Sequence, residues 1–265
     1  MNRRTAFFVA RTLLICMAPY PPFALALPAA TAAEAEKQDI AVVTAEGLVT
    51  VKRYAAAGNA LRPAVIILHG RSGPAPKPRF AAAYDRYATE IANVGIDAYL
   101  VSYFSESDAK AMFSDDEAFR AAVRAQRYSA WIDTIRSIAD AVAKRPEASG
   151  RIGLLGFSLG GNLATATAAS DPSIAALVVF YGGIPEIMAG RVSHLPPTLE
   201  LHGDADNEAL LSDGKALVDT AHALGVPAEQ VVYSGAGHGF DFDPSRSDSK
   251  DAQARAITFL QQHLK

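Results

Sequence analysis

The chain has 265 residues, half of them hydrophobic, with 28 acidic residues against 25 basic ones and a net charge of −3. That length and apolar content suffice for one α/β domain with a sizeable core. The acidic balance, without any basic tract, argues against nucleic acid as a partner.

Residues 1–33 read as a targeting segment and residues 34–265 as a single domain. Arg3, Arg4 and Arg11 precede the first acid, Glu34. An apolar stretch follows the paired arginines, and small residues gather around positions 30–33. This is the build of a secretory signal peptide, with some likeness to a twin-arginine signal. The apolar stretch is shorter than the ~20 residues that span a bilayer. The expectation is therefore a periplasmic or secreted protein with no lasting membrane association. Cys16 is the only cysteine of the chain. If the segment is removed, neither a thiol nucleophile nor a disulfide remains.

The elements follow in chain order. "IAVVTAEGLVTVKRYA" predicts a hairpin turning at Glu46 and Gly47. "AVIILHG" is a continuous apolar run ending in glycine, as expected of a buried parallel strand. A helix is predicted from Arg79 to Val94, with Phe80, Tyr84, Tyr87 and Ile91 on one face, and "IDAYLVSYF" is the next strand. Ser114 or Asp115 is expected to cap a long helix to Ala143, with Phe119, Val123, Trp131, Ile135, Ile138 and Val142 as its apolar face. "RIGLLGF" is a strand and "LGGNLATATAAS" a helix of small residues. "IAALVVFYG" and "PTLELHG" are strands. A helix is expected from Asn207 to Leu224, a strand at "AEQVVYSG", and a last helix from Asp248 to Leu264. This alternation predicts a mostly parallel sheet with helices on both faces. Chemistry on such a sheet collects in loops at the carboxyl ends of the strands.

Three of those loops hold a consistent set. Ser158 lies in Gly156-Phe157-Ser158-Leu159-Gly160, between a predicted strand and a predicted helix. G-x-S-x-G in that setting is a nucleophile elbow, a turn so sharp that the residues two before and two after the serine must be small. A hydroxyl nucleophile needs a base, and the base needs an orienting carboxylate. His238 sits in the glycine-rich loop after the last strand and is the expected base. His222 and His263 fall in helices, and His194 in a proline-bounded loop. His202 ends a strand and is expected to pack or bond to backbone near the acid loop. In "LELHGDADNEAL" the expected acid is Asp206, with Asp204 as the alternative whose other role is to hold the turn. The oxyanion hole is expected from the N–H of Leu159 and the N–H of Arg71, with Ser72 as alternative to Arg71. His69, before the elbow, is expected to be structural.

The motifs "LLGFSLGG", "LELHGDADNEAL" and "VVYSGAGHGFDF", in this order, resemble the dienelactone hydrolase branch of the α/β-hydrolases. The resemblance covers the chain from about Leu61 to its end. It implies the α/β-hydrolase fold and hydrolysis of small-molecule esters or lactones without a cofactor. The enzyme that names the family has cysteine at the elbow and glutamate in the oxyanion loop. Here Ser158 stands at the elbow, and Gly70 is the residue nearest the glutamate's place. The expectation is a serine hydrolase, with acyl transfer or peptide hydrolysis as rival uses of the same residues and a non-catalytic binding role as a third. No metal is expected, since no His/Asp/Glu cluster has ligand spacing. A monomer or small homo-oligomer is expected. The segment from Phe104 to Tyr128 is expected to cap the site. Arg71, Arg120, Arg124 and Arg127 are candidates for binding an anionic substrate, although the reading preferred for the three helix arginines is a solvated face paired with nearby acids; Ile184, Ile187 and Met188 are candidate pocket walls.

Overall fold

A computed structural model describes residues 35–74 and 77–265. The expected signal segment, residues 1–33, and its boundary with the domain lie outside the described residues.

Eight strands form one sheet in the order β1-β2-β4-β3-β5-β6-β7-β8. β1 (Glu36–Thr44) and β2 (Gly47–Ala55) are the expected hairpin. β2 runs antiparallel to β4 (Asp97–Val101), and every later pairing is parallel. The central strands are β3 (Arg62–Leu68), β5 (Ala148–Phe157) and β6 (Ile174–Phe180), followed outward by β7 (Thr198–Gly203) and β8 (Ala228–Tyr233). Strands buried on both faces need apolar residues at every position, not alternate ones. β3 meets this: Val65 and Ile67 join one core and Ile66 and Leu68 the other.

Helices α1 (Pro78–Asn93) and α6 (Ser247–His263) cover one face, through Tyr84, Tyr87, Ile91, Ala256 and Leu260. Helices α3 (Glu117–Ala143), α4 (Leu159–Ser170) and α5 (Leu211–Ala223) cover the other. α4 is built from small residues because it packs at the middle of the sheet, with Leu163, Ala164, Ala166 and Ala168 all buried.

Four local expectations are corrected. A separate short helix, α2 (Glu106–Met112), precedes α3, because Ser105 and Asp108 close a capping box there. α3 then starts at Glu117, since it is the Asp116 carboxylate that accepts the N–H of Phe119, at 3.1 Å. Phe119 is 49% exposed and so does not belong to the buried face of α3, which begins in earnest at Tyr128. α5 begins at Leu211 instead of Asn207: the Asp206 carboxylate caps the N–H groups of Glu208 and Ala209 in a turn that does not continue as helix.

Candidate active site

The strand β5 ends at Phe157 and α4 starts at Leu159, so Ser158 alone makes the turn. It does so at φ 55° and ψ −119°, a left-handed conformation that costs a non-glycine residue about 1–3 kcal/mol. The surroundings hold it there: Ser158 donates its N–H to Phe180 O at 2.9 Å and accepts from Asn162 N–H at 3.0 Å. The glycines of the motif answer to space. A Cβ on Gly156 would stand 2.2 Å from Gly160 O, and one on Gly160 would stand 2.3 Å from Leu68 O.

The acid and base loops are joined backbone to backbone. Asp204 N–H donates to Tyr233 O and Ala205 N–H to Ala236 O, at 3.1 and 3.0 Å. Asp204 also accepts the Gly235 N–H at 2.6 Å, so this carboxylate holds the start of the histidine loop. Asp206 points the other way. Its Oδ1 accepts the N–H groups of Glu208 and Ala209, at 2.8 and 2.9 Å, and its Oδ2 accepts from His238 Nδ1 at 2.8 Å. Its side chain is fully buried. Burial alone would raise its pKa, but the Ala209 N–H, the His238 contact and the Glu208 N–H together hold it below the usual carboxylate range.

The other nitrogen of His238 completes the line. Nε2 lies 3.0 Å from Ser158 Oγ. With Nδ1–H committed to Asp206, Nε2 carries the lone pair and accepts the serine proton. The three residues from three separate loops are thus in contact in the order acid, base, hydroxyl.

Leu159 is the first residue of α4, directly after Ser158, and Gly70 brings the Arg71 loop alongside. A Cβ on Gly70 would stand 3.6 Å from the Ser158 Cβ. Gly70 O accepts from His69 Nδ1 at 2.7 Å and from Gly73 N–H at 3.0 Å, and Gly70 N–H donates to Tyr84 OH at 3.0 Å. His69 itself is wholly buried and stacked on Tyr103 at 4.1 Å, and burial pulls its pKa down to about 4. It is a neutral brace of the loop and no base.

A cavity of about 400 Å³ opens over Ser158 and His238. Arg71, Met112, Phe113, Tyr181, Glu208 and Phe242 are among its walls. The expected cap is therefore present through the end of α2. Its arginines are not free: Arg120 and Arg124 pair with Glu117, and Arg127 with Asp108 and Glu46. Only Arg71 of the four lines the cavity, with Glu208 at 3.8 Å. Ile184 and Met188 pack against the core and Ile187 is 43% exposed, so that segment is not the wall expected of it.

Two residues were not anticipated. Tyr181, directly after β6, takes φ 40° and lays its ring 4.5 Å from that of His238. Its hydroxyl donates to Asp241 Oδ1 at 2.8 Å. Asp241 is fully buried, and burial pushes its pKa up to about 6.

Residues 51–264 match the profile of the dienelactone hydrolase family. The chain belongs to that family. Among structures, a dienelactone hydrolase from Anabaena variabilis superposes with a TM-score of 0.67 at 18% identity, covering 88% of this chain and all of the other. A dienelactone hydrolase-like promiscuous phosphotriesterase from metagenomic libraries superposes at 0.70 with 17% identity and covers the same shares. A thermophilic carboxylesterase from a metagenomic library gives 0.65 and 18%. These likenesses carry the α/β-hydrolase fold. A Yersinia pestis protein assigned as a carboxymethylenebutenolidase is 27% identical over 129 residues, which is 43% of this chain and 47% of the relative. The aligned stretch thus spans about half the length of that curated relative.

Proposed function

We propose that the chain is a serine hydrolase of small carboxylic esters or lactones that works through an acyl-enzyme on Ser158. The observation that carries this reading is the unbroken contact line Asp206 Oδ2, His238, Ser158 Oγ, at 2.8 and 3.0 Å. Membership of a hydrolase family supports it.

In the first half-reaction His238 Nε2 takes the Ser158 proton as Oγ attacks the carbonyl carbon. Asp206 keeps Nδ1 protonated and stabilises the imidazolium that forms. The N–H groups of Leu159 and Arg71 face the carbonyl oxygen as it becomes negative, and each such donor is worth roughly 3 kcal/mol. His238 then gives its proton to the departing alkoxide. Water enters and gives a proton to His238 as its oxygen attacks the acyl carbon; the bond to Ser158 Oγ then breaks, His238 returns the proton to Oγ, and the acid leaves. Both half-reactions need only the described side chains and water. The cavity of about 400 Å³ lies in the lower part of the range for small-ligand sites. It suits a compact ester or a lactone better than an extended peptide, which ranks the peptidase reading below this one.

The reading extends to residues 1–33 as a cleaved export signal that leaves a periplasmic or secreted domain of residues 34–265. The paired arginines, the apolar stretch and the alanine-rich end support it. Amino-terminal sequencing of the exported protein tests it.

The test of the activity is hydrolysis of p-nitrophenyl acetate and butyrate by the wild-type protein beside Ser158→Ala. Turnover by the wild type, lost in the variant, is expected. Equal rates from the two proteins would overturn the assignment of Ser158. Transfer of the acyl group to an added alcohol in preference to water would favour the acyltransferase reading.

A further inference from the structure

Behind the triad acid lies a second pair of ionisable groups that the mechanism above does not use. Glu200 and His202 are two residues apart on β7, so their side chains leave the same face of the strand. Both side chains are fully buried. Glu200 Oε1 lies 2.8 Å from His202 Nδ1, and Oε2 accepts from Gln230 Nε2 of β8 at 2.9 Å. α5 makes room for the carboxylate with a glycine: a Cβ on Gly214 would stand 2.4 Å from the Glu200 carboxyl carbon. His202 Nε2 lies 3.2 Å from Ala209 O and 3.6 Å from Asp206 Oδ2, the oxygen that receives His238.

Each ring nitrogen of His202 therefore faces an oxygen that only accepts when Glu200 is ionised. A neutral imidazole has one N–H and would point a lone pair at one of those oxygens. Two arrangements avoid this: an imidazolium beside a carboxylate, or a neutral ring that accepts the proton of an un-ionised Glu200. In both, Nε2 bears a proton on the side of Ala209 and Asp206. Burial works against the charge on His202, yet the Glu200 hydrogen bond and charge hold its pKa above the usual histidine range. A buried carboxylate and imidazole rarely repay their desolvation in stability alone. Their position one contact behind the triad suggests another use.

We propose that Glu200 and His202 are positioning residues for the triad acid: Glu200 fixes the proton on His202, and His202 presents an N–H to Asp206 Oδ2 that keeps Asp206 ionised and turned toward His238. The groups facing His202 are Glu200 on β7, Asp206 and Ala209 O in the acid loop, and, through Asp206, His238. Gln230 of β8 and Gly214 of α5 close the site around Glu200 and bring no charge. Without the ring, Asp206 and Glu200 would face each other as two buried carboxylates, and two such groups do not both stay ionised.

This rests on the triad reading of Ser158, Asp206 and His238. The kinetic test compares the pH profile of kcat/KM in wild type, His202→Gln and Glu200→Gln/His202→Gln. The single variant is expected to lose at least about tenfold in kcat/KM and to move its acid limb up by about one pH unit, as the facing carboxylates of Glu200 and Asp206 draw a proton onto the Asp206–His238 pair. The double variant, which also removes the Glu200 carboxylate, is expected to bring the limb back toward the wild-type position while the loss in kcat/KM persists, since no imidazole N–H reaches Asp206. An unmoved limb in the single variant would overturn the proposal, as would a double variant whose limb stays with that of the single one or whose kcat/KM equals that of wild type. Side-chain ¹⁵N NMR of histidine-labelled wild-type protein decides the same point without substitution or substrate. Nε2 of His202 is expected to stay protonated from pH 5 to pH 8. Loss of that proton within this range would overturn the proposal even if no ester were hydrolysed.

Discussion

Replacing Asp206 by asparagine perturbs one atom of the contact line. Oδ1 of Asp206 accepts two backbone N–H groups, from Glu208 and Ala209, at 2.8 and 2.9 Å. These donors select the amide oxygen of the asparagine for that place. Its NH2 is then forced into the position of Oδ2, 2.8 Å from His238 Nδ1. An NH2 is a donor, so Nδ1 must accept and the imidazole proton moves to Nε2, the nitrogen that faces Ser158 Oγ at 3.0 Å. The base is then blocked by its own proton. The expected loss is about 10³–10⁴-fold in kcat/KM, roughly 4–5.5 kcal/mol of transition-state stabilisation. KM should change little, since Asp206 does not line the cavity. The assay is p-nitrophenyl butyrate hydrolysis, with the circular dichroism spectrum as a check that the fold is intact. A loss of less than about tenfold in a folded variant would refute this account of the tautomer.

Further outcomes follow from the same geometry. Gly156→Ala places a methyl group 2.2 Å from Gly160 O, and backbone there has no room to give; a loss of at least about 2 kcal/mol is expected in urea unfolding, with activity falling alongside. A variant as stable as wild type would contradict the packing described for the elbow. Asp241 is raised by burial to about 6 against an ordinary value of 3.8, so the folded state holds its proton longer than the unfolded chain. Its contribution is complete below pH 3.8 and is lost as pH rises through about 6, a cost of about 3 kcal/mol by pH 8. Asp241→Asn keeps an acceptor for the Tyr181 hydroxyl and has no such titration. Relative to wild type it should therefore gain stability between pH 4 and pH 8 in denaturant melts, and a constant difference would argue against a buried, titrating Asp241.

The contact line of Asp206, His238 and Ser158 could be read from sequence because each member sits where a local rule applies. Ser158 is framed by glycines between a strand and a helix, Asp206 follows a strand-ending His-Gly, and His238 lies among glycines after the last strand. The alternation of strands and helices was equally plain, since strands buried on both faces leave long apolar runs such as Ala64 to Leu68. What escaped depended on contacts distant in sequence. Tyr181 and Asp241 meet across 60 residues, and no local pattern marks either. Pairing of the cap arginines with nearby acids was legible, as Glu117 shows with Arg120 and Arg124, but the contact of Arg127 with Glu46, 81 residues away, was not. Glu200 was within reach, since a charged residue in an apolar strand, two before a histidine, shares its face. The start of α5 was misplaced because Asp206 accepts the Glu208 and Ala209 N–H groups as a helix cap would, yet the chain turns once more and enters the helix only at Leu211.

The most direct test of the central claim is covalent. A fluorophosphonate probe reacts with a serine hydroxyl that has been activated by its base, whatever the natural substrate. Digestion of the labelled protein and mapping of the modified peptide should place one adduct on Ser158, absent in His238→Ala. No label on Ser158, or label that persists without His238, would mean that this serine is not an activated nucleophile, and the chain would have to be understood as a binding protein on a hydrolase fold.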